Sequence, residues 1–277
     1  MHTKAILATG ILALTLTFGA DQPVLAGPFL PGEILVDEFG SSSIQRYSAT
    51  GSLLQTFPGT DAQFVGASLT PDGNLVTTFR NSPPGIAIFN PSGTLITSFF
   101  AGPNSAPGDV SVFADGTLAV NGIGNDIVQF FSQAGALLQT VSLPGITTPF
   151  GSTVGSDGIL YVAGLTSNNL ARVSSGGVSL GNVSLGFAPG DLVMNPVDGT
   201  LWVSGRDNNL VEHITITGTV LGSFATGFSG LFDGIGLAPD DNSLYVTSKA
   251  APWSNTSTSV ATCSTPSPSP AQTPRSS

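Results

Sequence analysis

Five glycines, Gly51, Gly93, Gly135, Gly177 and Gly218, recur at intervals of 42, 42, 42 and 41 residues, each between two short apolar runs. A second series keeps the same beat: Leu75, Leu118, Leu160, Leu201 and Leu244 lie 43, 42, 41 and 43 residues apart, each opening an apolar stretch. A chain that repeats at such a period is one supersecondary unit written several times. No copy can shield its own apolar faces, so each must stack on the next.

The unit reads as strands. Asp72-Gly73, Asp115-Gly116, Asp157-Gly158 and Asp198-Gly199 each separate two apolar runs, a hairpin signal because glycine tolerates positive φ. The flanking runs, such as those beginning at Leu118, Leu160 and Leu201, are too short for helices and rich in β-branched or aromatic residues. Third strands follow at Ile44 to Tyr47, Ile86 to Phe89, Ile127 to Phe131, Leu170 to Val173 and Leu210 to Ile214, then the repeated glycine and a fourth strand. Four antiparallel strands per unit, stacked radially, predict an all-β chain folded as a β-propeller. A β-sandwich also has many short strands but has no reason for a fixed period. Residues 27–33 leave no room for a first strand in the opening unit. Six blades with the last incomplete are expected; five, closed by a strand at Gly234 to Leu237, is the alternative.

The chain carries 7 Lys and Arg against 17 Asp and Glu, for a net charge of −10. Phosphate backbones need clustered basic side chains, so nucleic acid is excluded as a partner class. Residues 1–26 resemble an export leader: Lys4 precedes the apolar Ala5 to Phe18, and Val24-Leu25-Ala26 offers a small-residue cleavage pattern. Cleavage after Ala26, no membrane span in the mature chain, and a secreted or periplasmic location are the expectations. The one cysteine, Cys263, allows no intrachain disulfide, so stability must come from packing.

The propeller is expected to span 27–249. Residues 250–277 are rich in Ser, Thr and Pro and read either as a disordered tail or as an out-of-frame remnant of the last blade. On the second reading, the shifted codons permit Val-Val-Lys-Tyr-Val-Asp-Val-Ser-Gly-Asn-Leu-Leu-Asn-Thr-Phe. That series matches the third strand, glycine turn and fourth strand of Val211 to Phe224 at a 43-residue offset.

Leu35 to Gly51, with Asp37 in its loop region and Arg46 before the aromatic Tyr47, and Leu201 to His213 resemble NHL-type propeller repeats. The similarity runs over most of residues 33–248. It implies the propeller fold and a family that includes exported bacterial propellers, binding platforms, and lyases or lactonases built on related scaffolds. Later units depart from the pattern: Thr78, Gly122, Gly164 and Gly205 replace the loop Asp, and no catalytic set carries over residue by residue.

Ligand sites in such a fold are expected in the funnel where loops entering the first strands meet loops joining second to third strands. Asp109, Asp191 and Asp233 stand just before the first strands expected at Val110, Leu192 and Gly234. Gathered at one mouth they would suit calcium, which takes carboxylate and carbonyl oxygens; alternatively each caps its own turn. On the same rim Arg80, Asn81, Asn125, Asn168, Arg206 and Asp207 suit a glycan, peptide or protein ligand, although Asn and Asp are also ordinary turn formers. Trp202 reads as core between blades. No Gly-x-Ser-x-Gly occurs, and His213 sits on a third strand without a serine partner. The expected function is therefore a non-catalytic binding module without a cofactor. The alternative is a metal-dependent lactonase- or lyase-type enzyme.

Overall fold

A computed structural model describes residues 27–38, 43–58, 63–80, 83–102, 106–226, 231–238, 243–249 and 258–264, which hold 22 strands and no helix. The expected leader and the rim residue Asn81 lie outside these residues.

Six antiparallel sheets follow one another in chain order. The first has β1 (Ile34–Glu38), β2 (Ser43–Tyr47) and β3 (Leu53–Pro58). Four complete sheets come next. They are β4 (Phe64–Leu69) to β7 (Leu95–Phe100) through β5 (Leu75–Phe79) and β6 (Gly85–Phe89), then β8 (Pro107–Val112) to β11 (Leu137–Ser142) through β9 (Leu118–Gly122) and β10 (Ile127–Phe131). They continue with β12 (Pro149–Val154), β13 (Ile159–Gly164), β14 (Asn169–Ser174) and β15 (Ser179–Ser184), and with β16 (Pro189–Met194), β17 (Leu201–Gly205), β18 (Leu210–Ile214) and β19 (Val220–Ala225). The last sheet has β20 (Leu231–Leu237), β21 (Ser243–Lys249) and β22 (Thr258–Ser264). Among the described residues the opening sheet has no first strand, in keeping with the lack of room in residues 27–33. Within the tail, by contrast, Thr258–Ser264 pairs with β21 along its whole length.

The turn glycines explain the repeat. Gly73, Gly116, Gly158 and Gly199 have φ of 82, 87, 74 and 72°, and the five periodic glycines fall between 72 and 88°. A side chain with Cβ rarely adopts that region, so each hairpin reuses glycine at the same place.

Each pair of neighbouring sheets shares a core. Leu35, Ile44 and Phe57 of the first sheet meet Phe64, Leu75 and Phe89 of the second, with Phe57 and Phe89 in an edge contact at 6.1 Å. Corresponding clusters join the second to the third sheet, the third to the fourth, the fourth to the fifth and the fifth to the last. The ends meet through Ile34, Val36 and Tyr47 against Ala238 and Tyr245. Closure among the described residues is thus by side-chain packing, because β20 pairs with β21 and no strand pairs with the inner edge of β1. Sheets facing neighbours on both sides and arranged about an axis make this the β-propeller expected. The counts of six, with an incomplete unit, and of five differ in how the two three-stranded end sheets are scored.

Candidate functional site

The first strands begin earlier than their apolar runs suggested. β8 starts at Pro107 and β16 at Pro189, so Asp109 and Asp191 lie inside strands rather than ahead of them. Apolarity marked only the inner part of each strand; the Pro-Gly-Asp segment is extended too. Both aspartates fall in β-bulges, between Pro107 and Val110 and between Pro189 and Leu192. Asp233 holds the matching irregularity in β20, between Phe232 and Gly234, and its side chain lies outside the described residues.

A bulge leaves backbone groups out of the ladder, and the aspartates supply partners. Asp109 Oδ1 accepts the N–H of Val110 at 2.8 Å, and its Oδ2 accepts the N–H of Ser152 on the next inner strand at 2.9 Å. Asp191 repeats the device: Oδ1 accepts from Leu192 at 2.8 Å and Oδ2 from Ile235, in the following sheet, at 3.1 Å. Each carboxylate therefore ties its own strand to its neighbour's. Local capping, one of the two sequence readings, describes half of this; the bond across the seam was not legible because it links residues 43 and 44 positions apart.

Glycines make room for the ties. A Cβ on Gly66 would lie 2.5 Å from Asp109 Cα, and one on Gly151 would lie 2.3 Å from Asp191 Oδ1. The order around the ring is Gly66, Asp109, Gly151, Asp191, an alternation visible in the sequence once the strands are aligned. Bulge carbonyls are met from neighbouring second strands: the Thr78 hydroxyl donates to Gly108 O, and Asn121 Nδ2 donates to Phe150 O at 2.7 Å.

The outer rim is made of turns. Asn168 and Asn209 have φ of 53 and 57°, as does Asp126 at 54°, so amide and carboxylate residues here serve the left-handed turn position that asparagine tolerates. Asn125, Asn168 and Asp207 are exposed and Arg80 and Arg206 half-buried. Arg80 Nε donates to Pro107 O at 3.1 Å.

At the opposite end of the sheets, where first strands turn into second strands, His213 stacks on the buried Trp202 with ring centroids 4.0 Å apart and an interplanar angle of 11°. Thr200 Oγ1 donates to Asp198 Oδ1 at 2.6 Å and lies 2.6 Å from His213 Nε2. A hydroxyl has one proton, so Nε2 is the donor in the second bond. Burial pushes the His213 pKa below its ordinary value, and Asp198 opposes that only in part. Above pH 6.5 the imidazole is neutral folded or unfolded; below it the unfolded chain takes the proton first, so stability falls with pH until the lowered folded pKa is passed. Thermal melts should show a drop from pH 7 to pH 5 that is smaller in His213→Gln. An identical pH dependence in the two proteins would refute the assignment.

The ring of sheets with its bulged first strands defines a β-propeller. Solved structures agree on the fold. A streptogramin B lyase superposes with a TM-score of 0.63 at 19% identity, covering 77% of this chain and 74% of that one. A virginiamycin B lyase from Staphylococcus aureus, a catalytically inactive histidine-to-alanine variant with quinupristin, gives 0.64 at 15%, covering 88% and 91%. A protein of unknown function from Bacteroides caccae gives 0.63 at 14%, covering 78% and 82%. No protein-family model and no curated protein matches the sequence. At these identities the likeness establishes the fold.

Proposed function

We infer that this is an exported propeller of the NHL-repeat type, secreted or periplasmic after cleavage behind Ala26, that acts as a non-catalytic binding module for a protein, peptide or glycan. One observation carries the reading. Asp109 and Asp191, the carboxylates on first strands whose side chains are described, each accept two backbone N–H groups, one of them from the adjacent sheet. A carboxylate so engaged is a structural strut, which leaves recognition to the polar turns and arginines of the rim.

The competing reading is a lyase- or lactonase-type enzyme using a metal, with calcium as the cation its carboxylates would suit. The lyases among the similar structures favour it. Against it, one of those lyases is inactive when a histidine is replaced, whereas His213 here is stacked at the end away from the mouth.

Thermal melts with and without calcium separate the two. Calcium should leave the melting temperature unchanged, while Asp191→Asn should lower stability by about 2 kcal/mol whether or not calcium is present, since hydrogen bonds to a charged acceptor contribute on the order of 1.5–3 kcal/mol. A calcium-induced rise that vanishes in Asp109→Asn, Asp191→Asn, Asp233→Asn would establish the metal site instead. Turnover of a lactone panel or of quinupristin would replace the binding module with the enzyme.

A further inference from the structure

One residue past each second strand, the four complete sheets place Arg80, Ile123, Leu165 and Arg206, spaced 43, 42 and 41 residues. The backbone N–H of each donates to the carbonyl just ahead of the same sheet's first strand: Arg80 to Gln63 at 3.0 Å, Ile123 to Ala106 at 2.9 Å, Leu165 to Thr148 at 3.1 Å and Arg206 to Ala188 at 2.9 Å. That shared rung makes the four residues ring equivalents at the funnel mouth. Lys249, 43 residues beyond Arg206, ends β21 at the same register, paired with Leu231.

The chain has only seven Lys and Arg, and three of them occupy this single position of the repeat. A solvated surface has no need of such a concentration in an acidic protein; a mouth that attracts an anion does. The bond from Arg80 Nε to Pro107 O reaches the next sheet and fixes the plane of that guanidinium. Arg206 has no carboxylate partner among the described residues, where the one ion pair is Arg46 with Glu33. One step deeper, the carboxylates of Asp109 and Asp191 already accept backbone N–H groups.

Guanidinium forks match planar carboxylates. Among the described residues, the exposed turn side chains there include Asn125, Thr147, Thr166, Asn168, Asp207 and Asn208, all able to hydrogen-bond hydroxyls. None of these is the aromatic or long aliphatic anchor that a peptide groove relies on, and of the two aliphatic ring equivalents Leu165 is buried and Ile123 half-buried. We propose that this mouth binds an acidic oligosaccharide, a chain of uronate sugars, with Arg206 holding a carboxylate and Arg80, whose Nε is bonded to Pro107 O and whose Nη2 is buried, contributing positive charge to the same mouth. The proposal rests on the reading of the protein as a binding module and supplies its ligand class.

Calorimetric titration of the protein with trigalacturonate tests it, with a neutral galactose trisaccharide and triglutamate as comparators. Trigalacturonate should bind, at least tenfold more tightly than either comparator and at least tenfold more weakly in 0.5 M salt, where exposed charges are screened. Arg206→Gln should weaken it at least tenfold, and Arg80→Gln by less, because that guanidinium acts only through its charge. Should Arg80→Gln fail to fold after losing its bond to Pro107, Arg206→Gln carries the test by itself. Equal binding of the neutral trisaccharide, preference for triglutamate, or unchanged affinity in an Arg206→Gln protein with a native melt would overturn the proposal. Cleavage of bound trigalacturonate into shorter products would keep the ligand and overturn the non-catalytic reading.

Discussion

Arg46→Met or Glu33→Met alone should lower the melting temperature by about 10 °C, because removing one partner of a buried ion pair costs about 3–5 kcal/mol and each kcal/mol is worth about 2–4 °C in a chain of this size. Arg46 is fully buried in the first sheet, with its NH2 2.7 Å and its Nε 2.8 Å from Glu33 Oε2. The guanidinium also donates to the carbonyls of Gly27 and Pro28 at 3.2 and 2.8 Å and lies 4.6 Å from the Phe29 ring centroid. It thereby fastens residues 27–29 over the sheet that lacks a first strand. A buried guanidinium left without its carboxylate keeps the desolvation cost and loses the attraction. The double change to Met removes both charges together, so its loss should be well below the sum of the two single losses. Thermal melts of the four proteins check this; additive losses would mean that the pair acts as two independent contacts.

Gly151→Ala should cost about 3 kcal/mol, at the upper end for overpacking a well-filled interior. The new methyl would meet Asp191 Oδ1 at 2.3 Å, Asp191 Cα at 2.5 Å and Gly190 O at 2.8 Å. Two of these are backbone atoms held in the next sheet's bulge, so the methyl can be accommodated only by parting the two inner strands. Gly222→Ala is the control. No heavy atom lies within 4 Å of its added Cβ and its φ is not positive, so its effect should stay within about 0.5 kcal/mol of neutral. Denaturant melts that rank the two alike would show that close approach of the inner strands does not limit this fold.

The expected second, third and fourth strands lie within a residue or two of those observed, from Leu75 and Ile86 to Leu201 and Val220. Their apolar runs are bounded by glycine turns, and both signals are local. First strands were read too short because Pro107-Gly108-Asp109 and Pro189-Gly190-Asp191 carry no apolar pattern; they bulge there, and the aspartates bond to a neighbouring sheet. The tail strand at Thr258–Ser264 escaped for a similar reason, since its pairing with β21 is not signalled by hydrophobic alternation. Of the site, the spacing aligned Asp109, Asp191 and Asp233, which fall in matching bulges. The partners of those residues were out of its reach. Arg46 stood out as the single arginine before a third-strand aromatic, yet nothing local linked it to Glu33, and Trp202 was legible as core without its histidine stack.

Period, turn chemistry and the alternation of apolar residues belong to the chain itself, because each depends on neighbours a few residues away, and together they demand stacked four-stranded units around an axis. The tertiary structure alone decided that Asp109 and Asp191 join inner strands, that Gly66 and Gly151 make room for them, and that the ends meet through Ile34, Tyr47 and Tyr245. Those contacts bring together groups roughly one repeat or nearly the whole chain apart, at distances set by how closely two sheets approach, which no local pattern encodes.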